Sequence, residues 1–136
     1  MLAARAQHVA DVIEPALAVG RDVVCDRFSG STIAYQGFGR GLDIGELEIM
    51  SAWAASGIEP DVVVLLEVEA ATAARRRDRR GEADRIEGEG ATFTERVSEG
   101  FSAQAQADAG RWRVVDGGGS VEEVAARVWE AVRDRI

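Results

Sequence analysis

The chain has 136 residues, 46% of them hydrophobic, which favours an ordered domain with a core over a disordered segment. Its formal net charge of −8 argues against general nucleic-acid binding. No apolar run approaches the length of a membrane-spanning helix, and the N-terminus lacks a signal-peptide pattern, so we expect a cytoplasmic protein without a membrane partner. All 16 basic residues are arginine, so these residues cannot perform chemistry that needs a lysine.

The first half of the chain predicts a helix, a strand and a second helix. Residues 3–19 have the apolar spacing of an amphipathic helix, in which Pro15 is expected to cause a kink or limit the regularity. Residues 22–25 follow as a short apolar strand, with Cys25 as a small buried residue. Residues 43–55 predict the second helix, with Asp43 as its N-cap and Gly57 as its stop.

The second half continues the alternation of strands and helices. Residues 62–68 form an unbroken apolar run, which predicts a strand covered on both faces, as in a parallel sheet. Residues 70–80 predict a helix, and the glycine-interrupted polar residues 81–90 a mobile segment. A helix over 92–107 and a strand over 112–116 come next, and Ser120 and Glu123 form a capping box that opens the C-terminal helix.

This order predicts one α/β domain over residues 1–136, with a parallel sheet and right-handed crossovers. Three strands are few, because a parallel sheet covered on both faces usually has about four to six. Ligands in such folds bind beyond the C-terminal ends of the strands. The stretch CDRFSGSTIAYQGFGR, which begins at such an end, is therefore the first candidate site.

Several polar side chains of this stretch allow both a structural and a functional interpretation. Asp26 and Arg27 either have a structural role, in which they neutralise each other or cap a neighbouring helix, or they form a ligand site. In that site Arg27 would be a forked donor to an anionic ligand, and Asp26 would orient the ligand or a bound cation. Ser29 or Ser31 is expected to cap a helix, and a helix N-terminus also attracts anions. If this piece is helical, the side chains spaced three and four apart could contact a sugar and a base: Thr32, Tyr35 and Gln36.

The remaining candidates are mostly structural. The arginine run 75–80 with Arg85 is either a solvated helix end or a mobile cover that closes over phosphates. His8 is expected to be structural, and the three tryptophans to belong to the core or its edge: Trp53, Trp112 and Trp129. No Cys/His cluster has metal-ligand spacing.

Four segments in this order resemble the bacterial thymidylate kinase family: DRFSGSTIAYQGFGR, GIEPDVVVLLEV, RRGEADRIE and WRVVDGGGSVEEV. The resemblance extends over essentially the whole chain, and RGEADRIE is similar to the bacterial lid segment, here about 75–90. It implies a P-loop kinase fold, with three α/β/α layers and a parallel sheet. It also implies transfer of the γ-phosphoryl group of ATP to dTMP with Mg²⁺, and a homodimer formed through helices that include the first one.

The resemblance also assigns roles to individual residues. Arg27 would contact the dTMP phosphate, with Asp26 beside it near the phosphates and magnesium. Arg5 would contact the thymine, and the sugar and base would lie near four further side chains: Ser31, Thr32, Tyr35 and Gln36. Three arginines would lie in the lid and reach over the transferred phosphate: Arg76, Arg80 and Arg85. The loop after Asp116 resembles the one that lies against the adenine.

One departure from the family is large. The GxxxxGK[ST] loop that binds the phosphates, and the first strand before it, are not found in these 136 residues. The aromatic residue expected four positions before Arg5 is replaced by Met1. We therefore expect the chain to represent the C-terminal two-thirds of a thymidylate kinase, without its central strand and without kinase activity of its own. The alternatives are a non-catalytic nucleotide-binding module, or pseudoenzyme, and another deoxynucleotide kinase.

Overall fold

The structure, a computed structural model, describes residues 1–69, 72–73 and 90–135. The chain divides into two compact units. The first comprises Met1–Pro60 with Glu95–Phe101, and the second comprises Asp61–Thr94 with Ser102–Ile136. That residues 1–136 act as one domain stays a prediction.

The first unit begins with a helical run that changes its hydrogen bonding midway. Helix α1 (Leu2–His8) continues into a π-helical turn, Val9–Ile13, and then into α2 (Glu14–Ala18). The N–H of Glu14 donates to the carbonyl of Val9, five residues earlier. Pro15 has no N–H and its ring clashes with the carbonyl four residues before it in a regular helix, so a widened turn just before it relieves that conflict. The predicted irregularity at Pro15 is confirmed.

The candidate stretch forms a second helical run in the same unit. Helix α3 (Ser29–Thr32) continues into the π-helical segment Ile33–Gly39, which we call π2. Phe28 occupies the N-cap position and provides no side-chain cap. The expected capping by Ser29 or Ser31 is therefore wrong, because the helix already includes Ser29 as its first residue.

Helix α4 (Ile44–Ala54) starts as predicted. The Asp43 carboxylate accepts the N–H of Glu46 at 2.8 Å, as an N-cap should. After the last helical residue the chain turns through Gly57, whose φ of 75° lies in the left-handed region and whose N–H donates to Ala52. Both predicted ends of this helix are confirmed.

The second unit contains the sheet. Strands β1 (Val63–Glu67) and β2 (Trp112–Asp116) pair in parallel, with Val63 opposite Trp112 and Glu67 opposite Asp116. Helix α5 (Ala91–Ala107) contributes Glu95–Phe101 to the first unit and its two ends to the second. Helix α6 (Val121–Val132) opens with the predicted capping box of Ser120 and Glu123. The α/β class with parallel strands is confirmed.

The strand expected at residues 22–25 is wrong. These residues form no regular element, Val24 is 99% exposed and Cys25 is exposed rather than buried. A strand needs a neighbour to receive its backbone hydrogen bonds. The only sheet among the described residues consists of β1 and β2, so an apolar composition alone does not make residues 22–25 a strand.

Burial differs from expectation at two further places. β1 is not covered on both faces, since Leu66 is 49% exposed and Glu67 is exposed. Trp53 and Trp129 are 84% and 57% exposed instead of belonging to the core. The buried face of α4 is formed by residues spaced four and three apart: Leu47, Ser51 and Ala54. Trp53 does not lie on this face. Trp112 is half-buried, which fits the predicted position at the edge of the core, and His8 is exposed.

Among the described residues, no helix has both the length and the apolar character that crossing a membrane requires.

Candidate functional site

Arg5 connects the first helix to the candidate stretch. Its Nη2 donates to the Oγ1 of Thr32 at 2.8 Å and to the carbonyl of Phe28 at 2.9 Å. Its Cζ also lies 5.2 Å from the centre of the Phe28 ring, a cation–π distance. Thr32 is fully buried. These contacts hold α1 against the start of α3 and fix the direction of the guanidinium.

The second terminal nitrogen of Arg5 has a different environment. Nη1 is buried and has no hydrogen-bond partner within the described residues. Burial lowers the pKa of the Arg5 guanidinium, and the charge interaction with Cys25 opposes this shift without cancelling it. A guanidinium nevertheless stays protonated near neutral pH. A buried, charged donor without a partner is costly, and an acceptor on a bound ligand would remove that cost.

Asp26 and Arg27 lie on an exposed bend, not at the edge of the interior as their place after an apolar strand predicted. They form no ion pair with each other, since the described residues show no salt bridge for either. Arg27 has a φ of 65°, a left-handed conformation that costs a non-glycine residue roughly 1–2 kcal/mol. Its Cζ lies 5.2 Å from the centre of the Tyr35 ring. Such strain is common where function fixes a side chain.

Tyr35 lies in π2 between Arg27 and helix α5. Its ring meets the ring of Phe101 edge to face, with the centroids 6.1 Å apart and the planes at 80°. Phe101 and Tyr35 are both half-buried. The aromatic pair therefore presents one ring face on which the Arg27 guanidinium rests.

The other two predicted side chains of this stretch have local partners. The Oε1 of Gln36 accepts a hydrogen bond from Nη1 of Arg40 at 2.8 Å. This amide oxygen, which was expected to face a sugar or base, therefore already has a partner. Ser31 is half-buried, and its backbone N–H donates to Phe28. The structure thus connects Arg5 to Thr32 and Arg27 to Tyr35 directly, whereas the described residues show no hydrogen bond from Ser31 or Gln36 to either of these arginines.

Three predicted site residues lie outside the described residues: Arg76, Arg80 and Arg85. Within the described part of the chain, no group of three or more His, Cys, Asp or Glu side chains could hold a metal ion. Asp26 is an exposed carboxylate without a hydrogen bond or ion pair to any described residue, so it could supply one oxygen ligand.

The prediction from sequence missed Phe28, Arg40 and Phe101. Phe28 and Arg40 flank the predicted polar residues, and a search for residues one turn away from each candidate would have found them. Phe101 lies 66 positions after Tyr35 in the sequence, so no local spacing connects the two. Only the packing of α5 shows its contact with the site.

Comparisons with known proteins all give one family. The sequence model of the thymidylate kinase family matches residues 1–128. A thymidylate kinase of Solidesulfovibrio magneticus is 46% identical over 96% of this chain and 66% of its own length. One of Gloeobacter violaceus is 48% identical over 94% of this chain and 61% of its own length. The crystal structure of thymidylate kinase from Ehrlichia chaffeensis superposes with a TM-score of 0.74, at 26% identity, over 96% of this chain and 62% of that one. The chain thus spans less than two-thirds of the length of these three relatives.

Proposed function

Because the chain belongs to the thymidylate kinase family, we propose that the complete protein transfers the γ-phosphoryl group of ATP to dTMP, giving dTDP and ADP on the route to dTTP. Within it, these 136 residues form the dTMP-binding part and the lid. The observation that carries this proposal is the Arg5 guanidinium, which is held by Thr32 and Phe28 and keeps one buried N–H without a partner.

In this proposal the nucleotide is bound at its two ends by two arginines. Thymine has carbonyl oxygens on its ring, and the free N–H of Arg5 would donate to one of them. Thr32 orients Arg5 and contributes to the base contact. Arg27, exposed and supported by Tyr35, would bind the monophosphate as a charge-assisted, forked donor. Ser31, Tyr35 and Gln36 would lie along the sugar and base.

Mg²⁺ fits this chain as an ion carried with ATP. Magnesium is usually held by one or two carboxylates and by the phosphates of the substrate, so a single exposed carboxylate is enough. Asp26 would supply it, next to the phosphate bound by Arg27. When bound, Mg²⁺ neutralises charge on the transferred phosphates. The lid arginines Arg76, Arg80 and Arg85 are proposed to do the same from the other side.

We propose that the complete protein is a cytoplasmic homodimer that contacts its second copy through helices including α1. Support comes from apolar side chains that remain exposed on and just after this helical run: Val12 is 49%, Leu17 is 45% and Val19 is 68% exposed. Such side chains are commonly covered at subunit interfaces.

A second candidate function is a nucleotide-binding module without phosphoryl transfer. Its acceptor contacts would be the same ones, Arg5 with Thr32 and Arg27 with Tyr35, because they need no part of the phosphate donor.

The test compares the chain alone with the chain preceded by the N-terminal segment of the Solidesulfovibrio magneticus relative. We expect ATP-dependent dTDP formation, followed by chromatography, only for the extended protein. Turnover by the 136-residue chain alone would contradict its assignment as the acceptor part. If the extended protein binds dTMP and ATP but forms no dTDP, the binding module is the better description.

A further inference from the structure

The direction of the Arg27 side chain is set by one aromatic ring. Arg27 is exposed and lies on a bend, and within the described residues its guanidinium has no hydrogen bond or ion pair. Among the described residues, the guanidinium interacts with the Tyr35 ring, whose centre lies 5.2 Å from Cζ. A long side chain without such a contact would sample many rotamers and would have to be ordered by each ligand that binds.

The Tyr35 ring is in turn held from helix α5. The ring of Phe101 lies 6.1 Å from that of Tyr35 at an interplanar angle of 80°, the edge-to-face geometry that aromatic quadrupoles favour. An edge-to-face contact fixes the tilt of a ring more strictly than general apolar packing does. The tilt of Tyr35 decides where its negatively polarised face points, and thus where a guanidinium can rest.

Two further contacts fix the part of α5 that carries Phe101. Arg96 Nε donates to the carbonyl of Gly39, the last residue of π2, at 3.1 Å. One residue before Phe101, Gly100 approaches Phe38 so closely that an added Cβ would lie 2.7 Å from the ring. All of these residues belong to the first unit. The position of Phe101 relative to Tyr35 is therefore fixed by two contacts between α5 and π2, the Arg96–Gly39 hydrogen bond and the close approach of Gly100 to Phe38.

We propose that Phe101 is a positioning residue of the phosphate-binding part of the site: it fixes the Tyr35 ring, and through that ring it orients Arg27 toward the ligand's monophosphate. The inference rests on the proposed function, which supplies the phosphate. It assigns Phe101 a role beyond core packing. This role agrees with Phe101 being half-buried, whereas Val97, one turn earlier, is buried.

The test measures how much the phosphate group contributes to binding. Isothermal titration of the 136-residue chain with dTMP and with thymidine gives the ratio of the Kd for thymidine to the Kd for dTMP. In Phe101→Leu we expect this ratio to fall by about fivefold, the size of an exposed to partly desolvated cation–π contact, because the Kd for dTMP rises more than the Kd for thymidine. Phe101→Tyr, which keeps the ring, should retain the wild-type ratio.

Two controls separate positioning from loss of structure. Val97→Ala removes buried volume from the same part of α5 and keeps both aromatic rings, so it should lower the Tm and leave the ratio unchanged. In an Arg27→Met background, Phe101→Leu should change the ratio no further, because the group it orients is gone. If Phe101→Leu does not fold, Phe101→Met takes its place.

Each outcome decides between the claims. A wild-type chain that binds neither dTMP nor thymidine overturns the proposed function and this inference together. A wild-type preference for dTMP that persists in Phe101→Leu overturns the positioning role alone. Equal weakening of dTMP and thymidine in Phe101→Leu, with a lowered Tm, would also contradict positioning, because it would show a purely structural role.

Discussion

In the proposed function, Arg5 is the residue on which recognition of the base would depend most. Its Nη2 donates to Thr32, 27 positions later in the sequence, while the buried Nη1 has no hydrogen-bond partner among the described residues. A lysine at this position keeps the positive charge but cannot donate in two directions from a planar group. The geometry of the fork, not the charge alone, is therefore expected to matter.

We predict that Arg5→Lys weakens thymidine binding by about 10-fold or more, the equivalent of roughly 1.5–3 kcal/mol for a lost charge-assisted hydrogen bond. Fluorescence or calorimetric titration measures the change. Arg21→Lys is the matched control, since Arg21 is exposed and its described hydrogen bond uses only the backbone N–H. Equal affinities for wild type and Arg5→Lys would remove Arg5 from the base site.

Arg27 permits a prediction about backbone strain. Its φ of 65° disfavours any residue with a Cβ by roughly 1–2 kcal/mol, whereas glycine accepts this conformation but loses roughly 0.5–1 kcal/mol in chain entropy. Arg27→Gly should therefore be about 0.5–1 kcal/mol more stable than Arg27→Ala in urea unfolding. Both variants should lose the preference for dTMP over thymidine. If the alanine variant is the more stable one, the left-handed conformation at this bend is wrong.

At this scale the sequence predicted residue types better than contacts. A cluster of charged groups, hydroxyls and an amide after an apolar run pointed to Asp26, Arg27, Thr32 and Tyr35 as a site. It did not reveal that Phe101 supports Tyr35, because a contact between positions 66 residues apart leaves no periodic signal. Cys25 was expected to be buried from its apolar neighbours, yet burial depends on what packs against a residue.

Gly100 tests the close approach of α5 to π2. An added Cβ would lie 2.7–2.8 Å from atoms of Phe38, so overpacking should outweigh the roughly 1 kcal/mol by which alanine favours a helix over glycine. We predict that Gly100→Ala is destabilising in urea unfolding. Gly45→Ala in α4, where the new Cβ would lie 3.4 Å from the Asp43 Oδ1, should be neutral or stabilising. A stabilised Gly100→Ala would show that the two elements are farther apart.

The capping box of α6 gives a second prediction for an element. The Ser120 Oγ accepts the N–H of Glu123 at 3.3 Å, and the Glu123 carboxylate accepts the N–H of Ser120 at 2.7 Å. Ser120→Ala should therefore cost about 1 kcal/mol in the free energy of unfolding. Ser98→Ala, at an exposed position inside α5, should cost less than half of that. Equal effects would mean that the cap contributes nothing measurable.

Helices could be predicted from the sequence more reliably than strands. Asp43, the Ser120 box and the spacing of Phe93, Val97 and Phe101 are local signals, and the structure places helices where they predict. Strands depend on partners distant in sequence. Residues 63–67 pair with residues 112–116 as parallel strands, whereas the apolar residues 22–25 have no strand partner among the described residues.

The whole molecule combines an α/β unit with a mostly helical unit that holds the candidate site. All of the described site contacts lie within Met1–Pro60 and Glu95–Phe101: Arg5 with Thr32, Arg27 with Tyr35, and Tyr35 with Phe101. Binding of the acceptor nucleotide is therefore expected to depend on the first unit. The proposed function requires that this set of contacts recognises dTMP in particular.

The most direct measurement is calorimetric titration of the 136-residue chain with dTMP and, separately, with dCMP. We predict one binding site with about 10-fold or greater preference for dTMP. The reason is that Arg5 is proposed to donate to the ring carbonyl that dCMP replaces with an amino group, which cannot accept this hydrogen bond. The preference should disappear in Arg5→Lys. No binding of dTMP, or equal affinities for dTMP and dCMP in the wild-type chain, would contradict the assignment of these residues as a thymidylate acceptor site.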